Sequence, residues 1–196
     1  IVVTSVIDAV VEDLKEQVLS RDLAPNSPLT EADVAARYDV ARATAKAAIE
    51  RLVAEKVLVR RNHNTARVVK LGPVDVRDIY NTRIYLESEV LRRLAKGGVV
   101  PDEARVANAE IAALWQQGSW NIVGPDMRFH TVLIDSLHSE RTSSAYASLA
   151  FEVKLCMSQL QGSQRLSPEI IVAEHAKLID LITSGEAGSA AALLDE

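Results

Sequence analysis

One cysteine, Cys156, stands in the whole 196-residue chain. An internal disulfide framework is therefore excluded, and a lone thiol suits a reducing compartment. Aromatics are scarce too: two Trp, four Tyr and two Phe make up 4% of the residues. Aliphatic side chains have to fill the core, and at 48% apolar residues there are enough of them. No apolar run reaches the roughly 18 to 20 residues of a membrane span, because charges interrupt every stretch. The opening Ile1-Val2-Val3-Thr4-Ser5 lacks the basic flank and long apolar region of a secretory signal. These absences lead to the expectation of a soluble, cytoplasmic chain with no membrane partner. Its last helical pattern stops at Glu196 without a cap or tail, so the C-terminus is expected to be truncated.

What is present is charge, unevenly spread. The net of −5 argues against nucleic acid when taken whole. Residues 1–72, however, carry 11 Lys/Arg against 10 Asp/Glu, and residues 73–196 carry 11 against 17. Within 41–72 the basic residues Arg42, Lys46, Arg51, Lys56, Arg60, Arg61, Arg67 and Lys70 face only Glu50 and Glu55. A basic patch on an otherwise acidic chain is the footprint of phosphate contact, although a solvated helix face has the same composition.

Helical periodicity runs over about 6–21 (Val6, Val10, Leu14, Val18), followed by a loop marked by Pro25 and Pro28. Thr30 caps a second helix through Tyr38, with Asp33 three positions on as a partial capping box. Asp39 turns the chain into a third helix from about Arg42 to Lys56. Two β-prone runs, Val57–Arg60 and Ala66–Leu71, flank an Asn-rich tip at Arg61-Asn62-His63-Asn64-Thr65. Gly72-Pro73 marks a boundary. Beyond it, helices are expected over about 74–96, 101–117, 125–138, 140–161, 167–184 and 186–196. The fold class is mainly α. A winged helix-turn-helix domain (1–72) precedes an all-α antiparallel helical bundle (73–196).

In a helix-turn-helix, the second helix of the pair enters the major groove and reads with its N-terminal residues. Here those are Arg42, Ala43, Thr44 and Lys46. Arg42 and Lys46 share a face at i, i+4, and the alanines around them keep the helix slim. Arg and Lys supply phosphate charge or donors to guanine edges, and Thr44 suits a phosphate oxygen or a thymine methyl. Arg60, Arg61 and His63 of the hairpin are placed against the backbone or minor groove. The implied partner is double-stranded operator DNA, gripped by a homodimer.

The helical half carries polar residues where the period calls for apolar ones. The seams read Asp126, His130, Leu133, Leu137; Ile171, His175, Leu178, Ile182; and Val76, Ile79, Arg83, Leu86, Val90, Leu94. Buried charge or imidazole is costly without partners. Asp126 and His130 lie one turn apart, where both can reach one ion, and carboxylate plus imidazole suits Zn, Ni, Mn or Fe. Spacing alone leaves a metal site and a hydrogen-bonded core histidine both open. Cys156 falls on the seam Leu149, Val153, Cys156, Leu160 and reads as core; Trp120 is expected to pack beside a loop.

The stretch Leu29-Thr30-Glu31-Ala32-Asp33-Val34-Ala35-Ala36-Arg37-Tyr38-Asp39-Val40-Ala41-Arg42, continued by Glu50-Arg51-Leu52-Val53-Ala54-Glu55-Lys56-Val57-Leu58-Val59, resembles the GntR family of bacterial regulators. Where that family commonly has Ser-Arg-Thr-Pro-Val-Arg-Glu-Ala, this chain has Ala41-Arg42-Ala43-Thr44-Ala45-Lys46-Ala47-Ala48. Arg42 keeps the family's first arginine and Lys46 replaces its second. The hairpin offers Asn64 in place of the usual glycine. Residues 73–196 are similar to the ligand-binding domain of the FadR subgroup, on Asp78-Ile79-Tyr80-Asn81-Thr82-Arg83-Ile84-Tyr85-Leu86-Glu87, Asp126-Met127-Arg128-Phe129-His130 and Glu174-His175. Many members of that subgroup hold a divalent metal by one Asp and three His. The resemblance therefore implies Asp126, His130 and His175 as three ligands, the family's last His falling just past Glu196.

Arg83 is the candidate for the carboxylate end of an organic-acid effector, since guanidinium offers a planar bidentate fork. The alternative is an ion pair with Glu87 at i+4. The expected function is a repressor released by a small carboxylate bound near the metal. The rivals are a metal-free regulator with a structural polar cluster, and a helical-bundle metalloenzyme. The enzyme needs a general base near an open metal position, and no such residue is identifiable on the same seam.

Overall fold

The computed structural model describes residues 5–60, 65–119, 121–160 and 167–195. Arg61, His63, Asn64 and Trp120 lie outside them. The chain divides into two compact units, residues 1–72 and 73–196.

The first unit consists of α1 (Val6–Ser20), β1 (Pro28–Leu29), α2 (Glu31–Tyr38), α3 (Arg42–Ala54), β2 (Leu58–Val59) and β3 (Ala66–Val68). Two reciprocal caps begin its first helices. Ser5 pairs with Asp8 at the start of α1, and Thr30 pairs with Asp33 at the start of α2. In the second, the Asp33 amide donates to Thr30 Oγ1 at 3.1 Å and the Thr30 amide donates to Asp33 Oδ2 at 3.2 Å. Asp39 ends α2 in the left-handed region (φ 50°), which sets the tight turn into α3.

Both α1 and α2 pack on α3. Val10, Val11, Leu14 and Val18 meet there with Val34, Ala45, Ala48, Ile49 and Leu52, all buried. Each buried Leu, Ile or Val contributes about 1.5–3 kcal/mol. Ion pairs of Arg51 with Asp8 and of Lys15 with Glu55 tie α3 and the residue after it to α1.

The sheet has three strands in the order β1-β3-β2, both pairings antiparallel. The expected hairpin is present, with Val59 opposite Arg67. The strand at Pro28–Leu29 corrects the reading of that segment as loop. Pro28 has no amide hydrogen to give a ladder, so it sits on the edge, pairing with β3 alone.

The second unit is all-helical: α4 (Pro73–Gly97), α5 (Asp102–Gln116), α6 (Val123–Asp135), α7 (Glu140–Leu160), α8 (Pro168–Thr183) and α9 (Ala187–Ala192), ending in a 3₁₀ turn at Leu193–Asp195. The last expected helix thus stops short, its final turn tightening to 3₁₀. The long α4 is the hub, packed against α6, α7, α8 and α9, while α5 closes over α6 and α8. Cys156 lies in the core, fully buried among Leu155, Met157 and Val153. Gly98 and Gly185 follow α4 and α8 at φ 62° and 81°, left-handed positions that glycine fills without strain. Among the described residues no helix is long and apolar enough to cross a membrane.

Thr30→Ala should destabilise the first unit by about 1 kcal/mol in urea unfolding, with Thr30→Ser much less affected. Identical curves for Thr30→Ala and the parent chain would contradict the reciprocal cap.

Candidate functional site

Two constellations stand out, one in each unit. In the first unit, α3 turns Ala45, Ala48, Ile49 and Leu52 inward and leaves Arg42, Ala43 and Lys46 exposed on its first two turns. Thr44 is half-buried beside them. The helix start, at Ala41, has no side-chain cap. Lys46 reaches Glu50 at 3.7 Å, but both groups are exposed and such a pair is worth little. Arg42 lines an open cleft of about 360 Å³ together with Thr30, Glu31, Arg60 and Thr65. Arg60 lies 4.0 Å from Glu31. The structure thus brings Arg42 of the helix and Arg60 of the wing to one cleft. Arg61 and His63, outside the described residues, cannot be placed with them.

In the second unit, Asp126 and His130 project from one face of α6, and His175 projects from α8. All three are buried. One ligand atom from each lies within 4.8 Å of the others. His175 Nε2 is 3.2 Å from His130 Nε2 and 3.5 Å from Asp126 Oδ1. The His175 ring stacks on Phe129 at 3.7 Å between centroids. Burial, reinforced by the neighbouring His130 and Arg83, pushes the His175 pKa down to about 2. A neutral imidazole is what a metal ligand requires.

Polar atoms in such a site are normally satisfied, yet Asp126 Oδ2 and His175 Nδ1 are buried without a hydrogen-bond partner among the described residues. An acid and two imidazoles converging with an unclaimed carboxylate oxygen are a donor set that a divalent ion fits.

Glu87 of α4 borders this cluster and is itself 4% exposed. Its Oε1 accepts from Tyr146 Oη at 2.6 Å and from Arg83 Nε at 2.7 Å, and its Oε2 accepts from His130 Nδ1 at 2.9 Å. Burial opposes the Glu87 charge, but Arg83 and His130, with the hydrogen bonds from His130 and Tyr146, hold its carboxyl well below the usual range. Burial opposes the Arg83 charge as well, and Glu87 more than offsets it, raising the guanidinium above its ordinary value. Both remain ionised.

The two alternatives for Arg83 therefore resolve unequally. Its Nε is committed to Glu87, and the residue also lines a cavity of about 190 Å³. Asp126, His130, His175 and Tyr80 line the same cavity. Glu87 entered the sequence reading only as a partner for Arg83, and Tyr146 was missed. The signal for Tyr146 was its place three residues before Leu149 on the Cys156 seam.

Arg83→Met should lower stability by about 3–5 kcal/mol, because it leaves a buried carboxylate without its cation. Chemical denaturation measures this, and a change below 1 kcal/mol would contradict the ion pair as drawn.

A winged helix-turn-helix is the layout of a DNA-binding unit, and the helical unit that follows it in the chain has a cavity lined by Arg83, Asp126, His130 and His175. Residues 6–68 match the bacterial regulatory proteins of the gntR family, and residues 78–196 match the FCD domain. The chain belongs to the GntR family, with an FCD domain as its second half.

It is 33% identical over 107 residues to the HTH-type transcriptional regulator BphR of Paraburkholderia xenovorans (strain LB400), covering 55% of this chain and 44% of that protein. It is 23% identical over 129 residues to the gluconate operon transcriptional repressor of Bacillus licheniformis, covering 64% of this chain and 53% of that one. The chain spans about half the length of these curated relatives. Among solved structures, a GntR regulator from Rhodococcus sp. RHA1 matches with a TM-score of 0.82 at 19% identity, over 96% of this chain and 91% of that one. McbR/YncC of E. coli matches with a TM-score of 0.76 at 16% identity, over 98% and 93%. These two likenesses concern the fold.

Proposed function

We propose that the chain is a cytoplasmic, homodimeric repressor of the FadR subgroup, released from its operator by a small organic acid bound beside a divalent metal ion. The observation that carries this reading is the convergence of Asp126, His130 and His175 on a cavity that Arg83 also lines. Asp126 Oδ and the two imidazoles would hold the ion, which when bound supplies a localised positive charge for a carboxylate. Arg83 orients the acid through the guanidinium nitrogens that Glu87 does not use. At about 190 Å³, the cavity favours a compact acid over a long-chain one.

On the DNA side, Arg42, Ala43, Thr44 and Lys46 read or grip the major groove, and Arg60, Arg61 and His63 contact the backbone beside it. The relative that represses a gluconate operon supports repression as the sign of control. The acid shifts operator affinity only by the difference in its affinity for the DNA-competent and DNA-incompetent states.

A metal-free regulator is the second reading. The 3.2 Å contact between His175 Nε2 and His130 Nε2 favours it, since two imidazoles at hydrogen-bond distance satisfy each other without an ion.

Arg42→Ala combined with Lys46→Ala should abolish gel-shift binding to a duplex selected by the parent protein from a random library, with the fold intact by circular dichroism. Retained binding would refute the assignment of α3. For the ligand site, a thermal-shift panel of small carboxylates on the Zn²⁺-loaded chain should give a stabilisation that chelator or Asp126→Ala removes. Absence of any shift from metal or acid would favour the metal-free reading.

A further inference from the structure

Glu87 is outside the trio of candidate ligands, yet it meets one of them. A carboxylate can only accept hydrogen bonds, so the 2.9 Å contact between Glu87 Oε2 and His130 Nδ1 puts the imidazole hydrogen on Nδ1. In a neutral ring the lone pair is then on Nε2, the atom that faces the cluster. The carboxylate is in turn immobilised: Oε1 is held by Tyr146 from α7 and by Arg83 from its own helix, one turn earlier. Side chains of three helices thus meet at a single buried carboxylate.

His175 contrasts with this. Its Nδ1 is buried without a hydrogen-bond partner among the described residues, and the ring is held by stacking on Phe129. With the His130 lone pair on Nε2, the 3.2 Å contact between the two Nε2 atoms requires His175 Nε2 to donate. Presenting both lone pairs to an ion therefore demands a change of tautomer at His175 and none at His130.

We infer that Glu87 is the positioning residue of this site, fixing His130 as an Nε2 ligand in advance and holding Arg83 in register with it through the same carboxylate. The inference rests on the metal reading above. It makes His130 the preorganised ligand and His175 the adaptable one. It also couples the effector-facing arginine to the metal-facing histidine without contact between them. Outer carboxylate partners of ligand histidines are typically worth about 10–100-fold in metal affinity.

The test is Zn²⁺ affinity of the full chain by competition with a chromophoric chelator, for the parent, Glu87→Gln and Tyr146→Phe, together with ¹⁵N NMR of the His130 ring in the parent. Glu87→Gln should weaken Zn²⁺ at least about tenfold. Tyr146→Phe, which leaves the His130 contact in place, should cost stability and largely keep Zn²⁺ affinity. The NMR should show a protonated Nδ1 and a metal-shifted Nε2.

Unchanged Zn²⁺ affinity in a folded Glu87→Gln protein would overturn the positioning role while leaving the metal site standing. So would coordination of His130 through Nδ1, which the parent protein reports even if the variant fails to fold. A parent protein that binds no Zn²⁺ would instead remove the metal reading itself, and this inference with it.

Discussion

A carboxylate survives inside a helical bundle only where charge and donors meet it, since an ionised group without partners costs several kcal/mol in such surroundings. Glu87 is that carboxylate here. Arg83 supplies the charge, and Tyr146 and His130 supply the remaining donors. Because those partners come from α4, α6 and α7, satisfying one charge fixes how three helices pack. The donors of Asp126, His130 and His175 converge within the frame so built, and the cavity opens beside them. The ligand chemistry of the second unit therefore depends on how an internal charge is compensated. Apolar packing alone would not specify it.

The first unit solves a different problem. A helix that must approach DNA needs one face committed to the core and one left slim and basic. Ala45, Ala48, Ile49 and Leu52 are buried and take the first role; Arg42, Ala43 and Lys46 are exposed and take the second in the proposed reading. Caps at Ser5 and Thr30 and the left-handed turn at Asp39 fix the helices that support α3. The pairing of β1 with β3 gives the wing a third strand, so its base is held on both edges. Arg60 reaches the cleft that Arg42 lines from that base.

Much of this was legible in the sequence because it is local. Among the described residues, helix periods, capping residues and breakers placed eight of the nine α-helices to within a few residues, and the last one in part. The polar positions at 126, 130 and 175 were visible as interruptions of apolar seams. What escaped was non-local. Pro28–Leu29 is too short to show alternation, and its strand exists only because β3 arrives from about forty residues away in the chain to pair with it. On α4 the seam was drawn through Leu86, whereas Glu87 is the more buried of the two. A helix packed on by four others buries more than one stripe. Tyr146 donates to a carboxylate 59 residues distant, and no periodicity announces a hydroxyl's partner.

The account stands or falls on whether the ligand site and the DNA helix are linked through metal. The direct measurement is operator affinity of the full chain by fluorescence anisotropy, titrated with a stabilising carboxylate in the presence of Zn²⁺ and again with chelator. The account predicts that the acid weakens operator binding about 5–150-fold with metal present and has no effect once metal is removed. Operator affinity that ignores the acid, or that falls equally with and without chelator, would contradict it.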